Sequence, residues 1–206
     1  MKIFLKTDDE IELMRRANRL VGSTLAEVAK NIKPGVSTLE LDRIAEEFIR
    51  DHGAIPTFKG FPNPYGDPFP AALCTSVNNV VVHGVPSGDV ILKDGDIVSV
   101  DCGTLLDGFN GDSAYTFCVG DVPSEVRQLL KVTKESLYLG IEQAVHGRHV
   151  GDIGAAVQDY CEGYGYGVVR ELTGHGIGRE MHEAPMVPNY GIAGRGLRLR
   201  EGMVLT

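Results

Sequence analysis

The sequence predicts a mixed α/β domain built from two similar halves. Shifting the chain against itself by 112 residues places Gly35 on Gly147 and Gly53 on Gly165, with apolar positions between them also matched. Both copies have the order long helix, glycine-containing turn, shorter helix, strand. Several apolar matches are expected between any two amphipathic helices, so the shared order of elements is the stronger observation. We therefore expect a duplicated α/β unit whose halves, about 8–120 and 121–206, close around one central site.

Composition sets the limits of this prediction. The 206 residues suit a single domain, and 43% hydrophobic and 23% charged residues are ordinary globular values. A net charge of −8 argues against a general nucleic-acid binder. No apolar run reaches the length of a membrane span, and the N-terminus is too charged for a secretory signal. The four cysteines form no CxxC pair, which favours a reduced cytoplasmic setting over a zinc finger or disulfide framework.

Two helices are predicted in the first half. The first covers Asp8–Asn31, with Thr7 and Glu10 at the spacing of a capping box. The second begins after Ser37, which is a favoured N-cap residue, and ends at His52-Gly53. Apolar residues recur at helical intervals along both segments, so each should bury one face.

Two more helices are predicted in the second half. The third begins at Pro123-Ser124-Glu125 and runs to about Val145, and the fourth covers Asp152–Gly163. One face of the third helix is predicted to carry Val126, Leu129, Leu130, Thr133, Leu137 and Ile141.

The remaining segments read as strands and loops. Four prolines lie between Phe58 and Pro70, so this stretch is predicted to be a surface loop. Leu73–His83 reads as a strand interrupted by Asn78-Asn79, and strand and loop alternate from Tyr164 onward.

The stretch from Ile97 to Phe117 predicts a hairpin with one carboxylate on each arm. β-branched and aromatic residues precede Asp101 and follow Asp112. The residues of the kind that turns require are Gly103, Asp107-Gly108 and Asn110-Gly111. Two carboxylates held close together repel each other unless a proton or a cation lies between them. The hairpin is therefore a candidate metal site.

The six histidines divide into two groups. His52, His146 and His149 lie at helix ends, where a solvated histidine is the usual finding. The other three follow a different pattern, because His83 and His175 stand beside glycines, which let a ligand or substrate approach closely, and His182 follows shortly after. Either aspartate alone would be an ordinary turn residue, but both together with these histidines favour a functional site. Carboxylates with one imidazole suit manganese, iron, cobalt or zinc, and bridging carboxylates permit two ions.

Several spaced motifs lie along essentially the whole length of the chain. These motifs are Met14-Arg15-Arg16-Ala17, Lys33-Pro34-Gly35-Val36, His83-Gly84-Val85-Pro86, Lys93-Asp94-Gly95-Asp96-Ile97, Val100-Asp101, Asp107-Gly108 through Gly111-Asp112, and Gly174-His175-Gly176-Ile177-Gly178 to His182-Glu183-Ala184-Pro185. Together, and in this order, they resemble the motifs of type I methionine aminopeptidases. The resemblance implies an α+β fold of the pita-bread type, with pseudo-two-fold halves around a central antiparallel sheet.

The resemblance also implies roles for individual residues. Asp101 would bind one divalent ion, Asp112 would bridge two ions, and His175 would bind the other. His83 and His182 would contact the substrate or the tetrahedral intermediate. The methionine pocket would be formed by Phe58, Phe61, Cys74 and Met181, although such residues are otherwise ordinary core residues. The implied substrates are N-terminal methionine peptides and nascent chains at the ribosome with a small second residue, acted on by a monomer.

The chain departs from the family pattern in two places. Its loop from Asn63 to Pro70 is longer than in the common bacterial form. The family's glutamate ligands, including the general base, would follow Thr206, so we expect a C-terminally truncated chain that is weakly active or inactive. Two alternatives stay open: an Xaa-Pro aminopeptidase of the same fold, and a non-catalytic pita-bread module that binds peptides or proteins.

Overall fold

The computed structural model describes residues 2–63 and 66–206, so Pro64 and Tyr65 of the Asn63–Pro70 loop lie outside the described residues. Over this part of the chain the elements are, in order, α1 (Asp8–Ala29), α2 (Thr38–Asp51), β1 (Ile55–Pro56), β2 (Leu73–Val77), β3 (Ile97–Leu106), β4 (Phe109–Cys118), α3 (Ser124–Gln143), α4 (Val150–Gly163), β5 (Thr173–Gly176) and β6 (Glu183–Pro188). The chain divides into two compact units. We call Glu12–Pro123 the N-terminal unit, and residues 2–11 with Ser124–Thr206 the C-terminal unit. That they form a single domain stays a prediction.

The predicted starts of the first two helices are confirmed by their caps. The Glu10 N–H donates to Thr7 Oγ1 at 3.3 Å, and the Thr7 N–H donates to a Glu10 carboxylate oxygen at 3.1 Å. Ser37 Oγ accepts from the Glu40 N–H at 3.2 Å. These bonds satisfy backbone donors that have no partner inside the helix. The first helix ends at Ala29, two residues before the predicted end.

The N-terminal unit contains a four-stranded antiparallel sheet centred on β3. Strand β4 pairs with β3 along its whole length, while β2 pairs with the first half of β3 and β1 with its end. The predicted hairpin is confirmed, with Asp107 and Gly108 in the turn at φ values of 53° and 79°. The expectation that Gly103 and Asn110-Gly111 belong to turns is wrong, because they lie within β3 and β4.

The strand predicted over Leu73–His83 is shorter than expected. It ends at Val77, because the Asn78 backbone takes a φ of 53° and its side chain accepts a hydrogen bond from the Ile97 N–H at 3.0 Å. This bond turns the chain away from the sheet, so residues 80–83 do not continue the strand.

One face of this sheet packs against α1 and α2 to form the main core of the N-terminal unit. Val98, Val100 and Cys102 alternate along β3 and are fully buried in this cluster. Since successive side chains of a strand point to opposite faces, Ser99 and Asp101 belong to the other face. The core therefore leaves the face that carries Asp101 available for polar residues.

The two helices of the C-terminal unit pack through small side chains. The buried line of α3 is Val132, Ser136 and Gly140, spaced four residues apart. A Cβ at Gly140 would lie 3.0 Å from a methyl group of Val157 on α4, so glycine permits the close approach. The predicted apolar face of this helix is not the buried one, since Leu137 is 57% exposed.

The fourth helix begins two residues earlier than predicted, at Val150, because His149 is its N-cap. Asp152 reaches back to accept from the His149 N–H at 2.6 Å. His52 likewise belongs to a helix end, where its ring nitrogen Nδ1 lies 2.8 Å from the Phe48 carbonyl oxygen. Both histidines therefore contribute to the ends of helices, and that they have no role in a site stays a prediction.

The rest of the C-terminal unit is a short antiparallel pair, β5 and β6, with a bulge between His175 and Gly176. The end of the chain runs along β5, where the His175 and Thr206 backbones exchange two hydrogen bonds of 2.8 Å. Val150, Val187 and Leu199 form a small core in this unit.

The internal repeat recurs in the backbone of the two units. Helices α2 and α4 have the same length and begin and end 112 residues apart. Gly35 and Gly147, just before them, have φ values of 92° and 90°. Their N–H groups donate to the carbonyls of Leu92 and Leu199 at 2.8 and 3.0 Å. The repeated local structure that the sequence predicted is therefore present in each unit.

No helix in the described residues is long and apolar enough to cross a membrane.

Candidate functional site

Asp101 and Asp112 are diagonal neighbours on one face of the sheet of the N-terminal unit. Across β3 and β4, Asp101 pairs with Ala114 and Asp112 pairs with Gly103. The two aspartates are therefore offset by one step of the pleat and share a face, where side chains are within reach of each other. Their carboxyl groups are hydrogen-bonded to one another.

The surroundings of this carboxylate pair favour uptake of a positive charge. Burial raises the pKa of Asp101, and the neighbouring Asp112 raises it further, while His83 acts in the opposite direction. Burial also raises the pKa of Asp112. Two half-buried carboxyl groups that share a hydrogen bond must hold a proton or a cation between them at neutral pH. The pair is therefore a candidate cation site.

Neighbouring residues on the same face are polar but uncharged. Cys74 on β2 pairs directly with Asp101, and burial together with the two carboxylates raises the pKa of its thiol to about 12. The thiol is therefore protonated at neutral pH. One strand step along, the hydroxyls of Ser99 and Thr116 lie 2.7 Å apart.

Helix α1 holds the strand that carries Asp112. The Asn18 side-chain oxygen accepts from the Asp112 N–H at 3.3 Å. A Cβ at Gly111 would lie 2.7 Å from the backbone of Ala17, so only glycine allows this approach of strand to helix. The two contacts hold the backbone of Asp112 against α1.

A buried aspartate holds the other neighbouring strand. Asp42 on α2 accepts from the N–H groups of Ala72 and Leu73 at 2.9 and 2.8 Å, through the same oxygen, Oδ1. Burial raises the pKa of this carboxyl group. Asp42 thereby fixes the start of β2 and the position of Cys74.

His83 lies in an exposed segment that is tied back to β2. Its backbone has a φ of 57°, and the following Gly84 bonds to Thr75 at 2.7 Å and to Ser76 Oγ at 3.1 Å. A Cβ at Gly84 would lie 2.2 Å from the Thr75 carbonyl oxygen. We expected this glycine to make room for a ligand, but the space beside it is occupied by the backbone of β2.

The two predicted pocket phenylalanines of the N-terminal unit belong to one loop. Phe58 is half-buried and Phe61 is exposed. The Phe61 N–H donates to the Phe58 carbonyl at 2.9 Å, and Phe69 and Phe61 are joined by another backbone bond of 2.9 Å.

In the C-terminal unit, His175 and His182 lie side by side. Their ring centroids are 4.3 Å apart, and His175 Nδ1 lies 2.8 Å from the Gly176 carbonyl oxygen. Since a histidine nitrogen facing a carbonyl must carry the proton, Nε2 of a neutral His175 is left as the lone-pair donor that a metal requires. The third predicted residue of this unit, Met181, is buried.

The glycines around His175 are required by close backbone contacts. A Cβ at Gly174 would lie 2.4 Å from the Thr206 carbonyl oxygen, and one at Gly176 would lie 2.4 Å from the Ala184 carbonyl oxygen. His175 is therefore held between two segments of backbone, which come so close only because glycine occupies positions 174 and 176.

The donor chemistry of the carboxylate pair fits a divalent cation, since carboxylate oxygens suit manganese, iron, cobalt and zinc. Residues 2–63 and 66–206 contain no group of three or more His, Cys, Asp and Glu side chains that could hold a metal ion. Asp101 and Asp112 belong to one unit and His175 to the other, so the predicted ligand set of three stays a prediction.

Residues 12–206 match metallopeptidase family M24. The chain is 54% identical to the methionine aminopeptidase of Clostridium acetobutylicum over 98% of its own length and 79% of that relative. The solved structure of methionine aminopeptidase from Thermotoga maritima superposes with a TM-score of 0.94 at 40% identity, covering 99% of this chain and 80% of that one. An Xaa-Pro dipeptidase from Bacillus anthracis gives a TM-score of 0.79 at 25% identity, covering 98% of this chain and 53% of that one.

The chain therefore belongs to metallopeptidase family M24. Within this family it groups with the methionine aminopeptidases, as the motifs predicted, and the predicted α+β pita-bread fold is confirmed. The identity of 54% against 25% separates this group from the Xaa-Pro peptidases. Sequence reasoning missed Asn18 and Asp42, which hold the strands of the carboxylate pair.

Proposed function

We propose that the function of this family member is metal-dependent hydrolysis, in which the N-terminal methionine is removed from peptides and nascent proteins whose second residue is small. The observation that carries the proposal is the pair of half-buried carboxyl groups, Asp101 and Asp112, on one sheet face of an M24 metallopeptidase. Its close relatives named methionine aminopeptidases support the substrate class.

We assign Asp101, Asp112 and His175 as ligands of two divalent ions, which would be cobalt, manganese, iron or zinc. When bound, such ions supply Lewis acidity and activate water for hydrolysis. The protein contributes a fixed arrangement of ligands. Gly111 and Asn18 fix Asp112, and the close backbone contacts of Gly174 and Gly176 fix the backbone of His175.

His83 and His182 are the proposed substrate contacts. A histidine N–H directed at the scissile carbonyl oxygen stabilises the negative charge that develops there in the tetrahedral intermediate. The proposed methionine pocket consists of Phe58, Phe61, Cys74 and Met181. Because the Cys74 thiol is protonated, it adds a soft, uncharged surface suited to a thioether.

The cellular setting follows from the substrate. Nascent chains are made by ribosomes, so we propose a cytoplasmic monomer that acts on them as they emerge. The free cysteines Cys74, Cys102, Cys118 and Cys161 are consistent with a reducing compartment.

A direct test uses protein produced from the complete gene, stripped of metal and reloaded with each candidate ion. Methionine release from Met-Ala-Ser should require the metal, and an Xaa-Pro-Ser peptide should remain uncleaved. Asp101→Asn should weaken metal binding by at least about 100-fold, measured by titration calorimetry with Mn²⁺.

Asp107→Asn is the matched control for this substitution. It lies in the turn of the same hairpin, where its exposed carboxylate contacts Arg16 at 2.9 Å. The control should retain both metal affinity and activity. Cleavage of Xaa-Pro peptides alone would favour the Xaa-Pro alternative. Peptide binding without any metal-dependent cleavage would favour a non-catalytic module and overturn the proposal.

A further inference from the structure

A buried ion pair lies next to the histidines of the C-terminal unit. Lys6, ahead of α1, forms an ion pair with Glu183 at the start of β6, and their side chains are only 6% and 5% exposed. Removing two charges from water is costly, so a pair buried to this degree needs compensating contacts. Neither residue belongs to the proposed ligand set or to the proposed substrate contacts.

The carboxylate of Glu183 uses both oxygens to close the loop before it. Oε2 contacts the Lys6 ammonium, and Oε1 accepts from the backbone N–H of Glu180 at 3.3 Å. Residues 180–183 are therefore closed into a small ring by a single side chain. His182 lies inside this ring, one residue before Glu183.

Gly178 shows how closely the pair is packed against this loop. A Cβ at Gly178 would lie 2.5 Å from Glu183 Oε1 and 2.6 Å from Lys6 Cε, so the pair occupies the space that a side chain would need. The Gly178 N–H also donates to the Glu180 carbonyl at 3.1 Å, which tightens the same turn.

Lys6 is itself fixed in place by its backbone. Its N–H donates to the Gly202 carbonyl at 2.7 Å, and a Cβ at Gly202 would lie 2.8 Å from the Lys6 carbonyl oxygen. The backbone that carries the Lys6 ammonium group is therefore bonded to and packed against Gly202.

We propose that Lys6 and Glu183 form a positioning device for His182. The pair holds the loop of residues 178–183 so that the His182 ring stays against the ring of His175, where the centroids lie 4.3 Å apart. Lys6 and Glu183 are positioning residues that act through His182. The effect on catalysis rests on the proposed function, whereas the effect on the loop does not.

The decisive protein is the double variant Lys6→Met with Glu183→Gln. Each single substitution leaves a buried group without its partner and can destabilise the fold for that reason alone. The double variant removes both charges, and glutamine keeps an oxygen that can accept from the Glu180 N–H, so that a change in the loop reports the loss of the ion pair and not of this hydrogen bond. We therefore expect its melting temperature to return close to that of the parent.

Two measurements on this double variant test the proposal. In metal-free protein, amide hydrogen exchange in residues 178–183 should accelerate by at least about tenfold, while exchange in α3 stays unchanged. In the metal-loaded enzyme, kcat for Met-Ala-Ser should fall by about 10- to 100-fold with little change in KM, because a displaced group loses mainly transition-state contacts. The single variant Lys6→Arg, which keeps the charge, should retain most of the parental kcat.

Glu10→Gln is the matched control. It removes the charge from an exposed ion pair with Arg179 in the same loop, at 3.2 Å, and should change neither exchange nor kcat. A double variant with parental exchange in residues 178–183 would overturn the proposal, as would one with accelerated exchange and parental kcat. If the parent itself releases no methionine, the proposed function fails, and the exchange measurement alone still decides whether the pair holds the loop.

Discussion

Replacing Asp42 by alanine and by asparagine separates the hydrogen bonds of this residue from its charge. Asp42 is 6% exposed, and its Oδ1 alone accepts from the N–H groups of Ala72 and Leu73. Alanine removes the acceptor and leaves two buried donors without a partner. Asparagine can place its own carbonyl oxygen where Oδ1 lies, and so keeps both bonds without a charge.

The expected magnitudes follow from these contacts. Two hydrogen bonds to a charged acceptor contribute about 1.5–3 kcal/mol each, offset in part because burying the carboxylate is itself unfavourable. We expect Asp42→Ala to lower the free energy of unfolding by about 3 kcal/mol, which is a fall in melting temperature of about 6–12 °C for a chain of this size. Asp42→Asn should cost about 1 kcal/mol or less, since both bonds remain.

The assay is urea denaturation of metal-free protein, followed at several pH values. Burial raises the pKa of Asp42 above its ordinary 3.8. Between the ordinary pKa of the unfolded chain and the higher pKa of the folded protein, Asp42 is still protonated in the folded protein but already ionised in the unfolded chain. Its contribution to the free energy of unfolding therefore falls as pH rises through this range. Asp42→Asn should lack this pH dependence, because asparagine does not titrate. Equal losses of stability for alanine and asparagine would refute the role assigned to the two hydrogen bonds.

Two further predictions concern the residues around the proposed ligands. Gly174→Ala should destabilise the fold by about 2 kcal/mol, because its Cβ would meet the Thr206 carbonyl oxygen, whereas Gly167→Ala, with no heavy atom within 4 Å, should have little effect on the melting temperature. The pKa values of Asp101 and Asp112 are both raised, so the free energy of unfolding of the metal-free protein should fall as pH rises above about 4. Asp112→Asn should flatten this pH dependence, as measured by urea denaturation. An unchanged slope would contradict the interaction assigned to the two carboxyl groups.

The elements that could be predicted are those whose signals are local. The caps at Thr7 and Ser37, and the turn at Asp107-Gly108, depend on residues within three positions of one another. The same locality made the hairpin with its two aspartates recognisable. The two-residue strand β1 has no such signal, because it exists only through pairing with the distant end of β3.

The buried side of α3 was predicted wrongly for a physical reason. Its largest apolar residues, such as Leu137 and Ile141, are exposed, and the buried line ends at Ser136 and Gly140. Close approach of a second helix selects small residues, so hydrophobic size misidentifies the contact. Periodicity alone cannot say which face meets a neighbouring helix.

The residues that support the site were missed because their partners are far away in the chain. Asp42 lies about 30 residues from the strand it holds, and Lys6 lies more than 170 residues from Glu183. A signal did exist for Asp42, since an aspartate stands beside Leu41 on the apolar stripe of α2. A charged residue at such a position indicates a buried hydrogen-bonding role.

The repeated backbone of the two units shows what a duplicated structure retains. In one copy Ser37 is the N-cap of α2, and in the other His149 is the N-cap of α4, yet both bridge to a distant segment in the same way. The shared bonds run between peptide groups, which every residue possesses, so substitutions at the side chains leave them unaffected. Glycines such as Gly35 and Gly147, whose positive φ disfavours other residues, keep the repeat visible in the amino-acid sequence. Two units can therefore keep the same backbone hydrogen bonds while their side chains differ, and glycine spacing is then the sequence signal of the repeat.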